Sequence, residues 1–102
     1  MPSDKELKSI YPEVEEFARR MRQELWANRT KGDQESWKRM PMRQAWHEIT
    51  WHAAKLAVAI RENNRPLIRE LAADVANGAM MLDDINDIHY DKEVHDESPH
   101  PE

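Results

Sequence analysis

AWHEITWHAAKLAVAIRENNRPLIRELAADVANGAMMLDDINDI, residues 45–88, holds two helical patterns joined at Glu62-Asn63-Asn64-Arg65-Pro66, and its reading decides the fold. Each pattern has an apolar stripe beside a polar one. On the first, Glu48, His52 and Lys55 recur at i, i+4 and i+7; on the second, Glu70, Asp74 and Asn77 repeat that spacing, with Asp84 further on. Residues so spaced share one helix face. If the helices fold back antiparallel about Asn63-Asn64, equal counts from the turn bring Lys55 to Glu70 and Leu71, His52 to Asp74, and Glu48 to Asn77 or Met81. A purely structural hairpin puts apolar residues in its seam, so this polar seam is the candidate site.

The rest of the composition agrees with an all-α chain. Two Gly in 102 residues, with many Ala, Leu, Met, Glu, Arg and Lys, favour helix, and no strand-like alternation competes. A chain of this length makes one domain, and a bundle of three main helices is thin at that size. Completion of the bundle by a homodimer or higher homo-oligomer is therefore expected. The absence of Cys excludes disulfides and thiolate metal sites, which suits a reducing cytoplasm. Met1-Pro2-Ser3-Asp4-Lys5-Glu6 is polar and no apolar run reaches spanning length, so neither export nor membrane insertion is expected.

Net charge is −5, which argues against a nucleic-acid partner. The charge is uneven, however: between Arg19 and Arg43 eight basic residues face three acids. That stretch either holds a small polyanion such as a nucleotide or forms an ordinary solvated helix face.

Along the chain, Ser3 or Asp4 suits the cap of a short opening turn, and Pro12 the first turn of a longer helix. Ile10, Val14, Phe17, Met21 and Leu25 give that helix its stripe, with Glu15–Arg19 and Glu16–Arg20 as outer pairs, over about Pro12 to Asn28. Lys31 to Met40 reads as a loop or short turn. The second helix runs from Pro41 to Glu62, with Met42, Ala45, Trp46, Ile49, Ala53, Leu56 and Ile60 apolar. The third opens after an Asn64 cap with Pro66 in its first turn, and buries Leu67, Ile68, Leu71, Val75, Leu82, Ile85 and Ile88. Gly78 costs about 1 kcal/mol of helix propensity relative to Ala, which implies that something packs against it. Residues 1–88 thus form the helical domain, and residues 89–102, acidic with few apolar side chains, read as a disordered tail.

Asn28-Arg29, Lys31-Gly32-Asp33 and Trp37, then Ala72-Ala73-Asp74-Val75-Ala76-Asn77 and Met80-Met81-Leu82-Asp83-Asp84, resemble the MazG-like branch of the all-α nucleoside triphosphate pyrophosphohydrolases, over roughly Tyr11 to Ile88. The resemblance implies a MazG-like helical bundle, oligomerisation, and cleavage of nucleoside triphosphates to monophosphate and pyrophosphate with Mg²⁺. Those enzymes hold the metal with Glu-x-x-Glu on one helix and Glu-x-x-Asp on the next, because Mg²⁺ takes hard oxygen ligands and leaves room for water and phosphate. Aligned on Asp74, this chain has Leu71, His52 and Lys55 at the other three places.

Two arrangements follow. In one, Asp74, Glu70, Glu48 and His52 form a shifted catalytic and metal set holding Mg²⁺ or Mn²⁺; an imidazole among carboxylates suits Mn²⁺, Fe²⁺ or Zn²⁺ better than Mg²⁺. In the other, the Lys55 ammonium stands in for the cation beside Asp74 and Glu70, and no cofactor is needed. Lys31, Asp33, Trp37, Lys55 and Asn77 are the candidate nucleotide contacts, with Trp37 either stacking a base or packing. The function implied is a nucleotide pyrophosphohydrolase. The alternative is a catalytically inactive nucleotide-sensing or protein-interaction module.

Overall fold

The computed structural model describes residues 1–31 and 36–95. The chain is all-helical: α1 is Asp4–Ile10, α2 Pro12–Ala27, α3 Met42–Arg61 and α4 Arg65–His95, with 3₁₀ turns at Arg29–Lys31 and Ser36–Arg39. There is no strand among the described residues. The three helices expected are α2, α3 and α4. No described helix is long and apolar enough to cross a membrane.

The helix ends follow from side chains that satisfy orphan backbone groups. At α1, Ser3 Oγ accepts from Glu6 N–H at 3.2 Å and donates to the Glu6 carboxylate at 3.1 Å. Pro12 opens α2 and Asn28 closes it. Between α3 and α4, Asn63 takes φ 53°, a left-handed conformation that Asn tolerates. Asn63 N–H donates to Ile60 O at 3.1 Å and Asn64 N–H to Ala59 O at 3.0 Å, the pairing of a Schellman turn. The Asn64 side chain then accepts from Leu67 N–H at 3.4 Å and starts α4. On the outer side of α2, Arg20 pairs with Glu16 at 3.7 Å as expected, but Arg19 joins that same carboxylate rather than Glu15. The Arg19 hydrogen bond holds the Glu16 carboxyl below its ordinary range. Its contribution is present above that ordinary range and is lost as pH falls through the lowered value.

The α3–α4 hairpin closes in nearly the register read from the sequence. Gly78 faces Ile49, each thirteen residues from its end of the turn. A Cβ built on Gly78 would lie 2.8 Å from Ile49 Cγ1, so a bare backbone is required for the helices to approach. Gly78→Ala, which ordinarily adds about 1 kcal/mol of helix stability, is therefore expected to lower the melting temperature here. A raised melting temperature, followed by circular dichroism, would show that Ile49 yields freely.

The core is small: Ala45, Ala59, Leu71, Ala73 and Ile85 are the buried apolar residues among those described. On α3 the covered seam is the buried Ala45 and Ala59 with the half-buried Ile49, His52 and Leu56 between them, with steps of 4-3-4-3. Met42, Trp46, Ala53 and Ile60, read from the sequence as part of one apolar face, lie instead on the exposed flank. A helix one neighbour wide can bury only one such stripe. On α4, Leu71 and Ile85 are buried, whereas Ile88 is 39% exposed.

One boundary differs from expectation. The Ser36–Arg39 segment is a 3₁₀ turn, the short helical turn that is one of the two readings of Lys31 to Met40, and it contacts α4; but α4 continues to His95, past Ile88 where the apolar pattern stops. Helix ends follow backbone-breaking residues as much as amphipathicity, and no Gly or Pro occurs between Gly78 and Pro99. Of the tail expected to be disordered, residues 89–95 are helical, and residues 96–102 lie outside the described residues.

Candidate functional site

Helices α2, α3 and α4, with the Ser36–Arg39 turn, line a wide, half-open cavity of about 1140 Å³. Three kinds of side chain meet on its wall. Carboxylates come from Glu24, Glu48, Glu70 and Asp74; cations from Arg22, Arg29 and Lys55; indole rings from Trp26, Trp37 and Trp51. The remaining lining is largely apolar, as in sites that take a small molecule.

Within this wall Glu24, Glu70 and Asp74 converge, each offering an oxygen within 4.8 Å of the others. Glu70 and Asp74 are one turn apart on α4, and Glu24 reaches them from the last turn of α2. Asn28 positions Glu24, its amide donating to Glu24 Oε1 at 3.1 Å and to the Glu24 carbonyl at 3.0 Å. One turn beyond Asp74, on the same face of α4, Asn77 is only 4% exposed. Its Nδ2 donates to Met21 O at 3.0 Å and ties α4 to α2, while its Oδ1 is buried without a hydrogen-bond partner. A buried acceptor left unpaired costs about 1–3 kcal/mol, which a ligand or ion in the cavity could recover.

The sequence-derived candidates divide into groups. Glu70 and Asp74 are brought together, and the third carboxylate is Glu24 rather than Glu48. Glu48 and His52 line the cavity but stand apart from that trio. His52 is half-buried, and its Nδ1 donates to Glu48 O at 2.8 Å, which leaves Nε2 as the ring nitrogen outside that bond. Trp51 packs edge-on against it, the ring centroids 5.1 Å apart. Lys55 departs from the expected pairing with Asp74 and Glu70: its ammonium lies 3.8 Å over the Trp51 ring, one turn back on its own helix. A cation on an exposed indole keeps its water on the other side, whereas entering the seam would strip it.

Trp37 lines the cavity, and its indole N–H donates to Asp84 Oδ2 at 2.9 Å, fastening the 3₁₀ turn to α4. Lys38 stands 4.0 Å from the same carboxylate. Lys31 ends the first 3₁₀ turn, with its side chain outside the description, and Asp33 lies outside the described residues.

Sequence reasoning missed the contribution of α2. In the sequence Glu24 is one of the three acids in a basic stretch. Arg29 caps that end of the cavity, its guanidinium 3.8 Å over the Trp26 ring and its Nη1 donating to Trp26 O at 2.8 Å. The available signal was Asn28 four residues after Glu24, a spacing at which an amide reaches back to a carboxylate.

Comparison of the chain with protein-family models, with curated proteins and with solved structures finds no match. What the geometry defines is an all-helical protein with an acidic, aromatic and cationic cavity between three helices.

Proposed function

We propose that this chain is a MazG-like nucleotide pyrophosphohydrolase homologue that takes a nucleoside triphosphate together with Mg²⁺ or Mn²⁺ in the α2–α3–α4 cavity. The observation that carries the reading is the convergence of Glu24, Glu70 and Asp74 on the wall of a cavity that also presents indoles and cations. The donor set fits such an ion. Three hard carboxylate oxygens within 4.8 Å are close to the span of an octahedral shell, about 4 Å for Mg²⁺, and a further unpaired oxygen, Asn77 Oδ1, lies a turn away. When bound, the ion would screen phosphate charge and acidify a coordinated water.

The chain's own groups have complementary tasks. Arg22, Arg29 and Lys55 offset the charge of the phosphates, Arg through bidentate contacts and Lys as a point charge. Trp26 and Trp51 offer ring faces to a base; each now carries a cation that an arriving phosphate would draw away. His52 Nε2, the ring nitrogen not engaged by Glu48 O, is the candidate to take a proton from the attacking water.

A second reading, nucleotide binding without cleavage, is favoured by one observation. Helix α3 gives no carboxylate to the trio, and His52 and Lys55 occupy positions that are acidic in the enzymes the chain resembles. Incubation with a panel of ribo- and deoxyribonucleoside triphosphates and either metal separates the two. Pyrophosphate release supports the enzyme; thermal stabilisation without release supports binding alone; neither response with any nucleotide overturns both.

A further inference from the structure

We infer that the cavity also binds a linear aliphatic diamine or polyamine, with one primary ammonium of the ligand seated among Glu24, Glu70 and Asp74. The inference needs only the cavity, not the nucleotide chemistry proposed for it. Any acidic cluster attracts cations, so the choice of an alkylammonium rests on how the groups around the trio are arranged.

The trio is spaced for an ammonium. A primary ammonium carries three N–H donors and no acceptor. Three oxygens at about 2.8 Å from one tetrahedral nitrogen lie about 4.6 Å apart. The three carboxylates each offer an oxygen within 4.8 Å of the other two, so each donor finds its own acceptor. Glu24 and Asp74 also engage neighbours within the chain, and a carboxylate, with about four lone-pair sites, has capacity for both.

A second observation, independent of charge, points to the same ligand. Asn77 is 4% exposed, lines the cavity one turn from Asp74, and leaves its Oδ1 without a partner. Met21 O can only accept, so it takes Asn77 Nδ2 at 3.0 Å and fixes which end of the amide is left over. Glu70, Asp74 and Asn77, on one face of α4, thus all present acceptors. An anion can meet these oxygens only through a bound cation, whereas an amine meets them directly.

The rest of the wall suits an alkyl chain with a second charge. Leu67, Leu71 and Met81 offer apolar surface to methylenes. Trp26 and Trp51 each hold a cation 3.8 Å from the ring centre, so both faces already stand in cation-binding geometry. A second ligand ammonium can replace Lys55 over Trp51, which is 52% exposed and lets the displaced lysine return to water. Amine and divalent ion contend for the same carboxylate oxygens, so an amine bound here excludes the ion.

The test is a calorimetric titration of the full chain, without nucleotide or divalent ion, with hexamethylenediamine and with hexamethonium, which has the same chain and charge but no N–H. Salt at about 0.15 M, where the Debye length is about 8 Å, suppresses diffuse attraction to the acidic chain. Saturable binding of hexamethylenediamine is expected, at least about tenfold tighter than that of hexamethonium, because charge-assisted hydrogen bonds are lost with the N–H groups. Glu70→Gln, at an exposed position of α4, is expected to weaken the diamine at least about tenfold with the helical circular dichroism unchanged. Equal binding of the two cations, binding indifferent to Glu70→Gln, or no binding at millimolar diamine overturns the proposal. If Glu70→Gln fails to fold, the two cations decide alone. No nucleotide is present, so each of these failures leaves the pyrophosphohydrolase reading to its own nucleotide panel.

Discussion

Under the proposed function Mn²⁺ is expected to stabilise this chain, and Asp74→Asn to abolish that stabilisation and to lower any pyrophosphate release by at least about 100-fold. The change keeps the shape of the side chain and removes one unit of charge from a cluster whose oxygens lie within 4.8 Å. An ion present at 100 times its dissociation constant stabilises the folded state by about 2.7 kcal/mol, or on the order of 10 °C for a domain of this length. The quantity to read is that metal-dependent increment in melting temperature. The baseline is a poorer guide, because Asp74 also engages a neighbour without the ion. Glu24→Gln should behave in the same way, although it lies on a different helix. Glu48→Gln should leave the increment in place, since Glu48 stands outside the trio. Equal increments in all three variants would show that the ion, if bound, is held elsewhere.

Ile85→Ala is expected to be the most damaging single truncation in the core. Ile85 is 0% exposed and the largest fully buried side chain described, in a core otherwise dominated by alanine. Truncating a buried Ile to Ala costs about 2–5 kcal/mol, comparable to the whole stability of many small domains. A fall of about 8 °C or more in melting temperature is anticipated, from about 4–8 °C per kcal/mol. Ile88→Ala, one turn further along α4, is the control: at 39% exposure it should cost well under half as much. Similar losses from both would mean that α4 buries the broader stripe read from its sequence.

The hairpin was legible because its signals are local and agree with one another. Asn64, Pro66 and the paired polar spacings place the turn, and the unexplained Gly78 announces a close approach that Ile49 then makes. Which apolar side of α3 would be covered was not legible. Met42 and Trp46 are as hydrophobic as Ile49, and only the presence of one neighbouring helix leaves them outside.

The candidate site was half legible for a similar reason. Glu70 and Asp74 declare themselves by spacing along one helix, but Glu24 arrives from α2 across a fold that spacing does not describe. Lys55 was misplaced because a lysine stem reaches several partners equally well, and an indole one turn back on the same helix lets its ammonium stay hydrated. The end of α4 was missed because apolar periodicity reports where a helix is packed, not where its backbone ladder stops.

The most direct test is a calorimetric titration of the intact chain with a non-hydrolysable nucleoside triphosphate analogue, once with Mn²⁺ and once with chelator. Saturable binding in Mn²⁺ is predicted, weakened at least about tenfold by chelation and to a similar degree by Glu24→Gln or Asp74→Asn, the equivalent of about 1.4 kcal/mol. Binding that is indifferent to the metal and to both substitutions, or no binding at all, would contradict the assignment of this cavity.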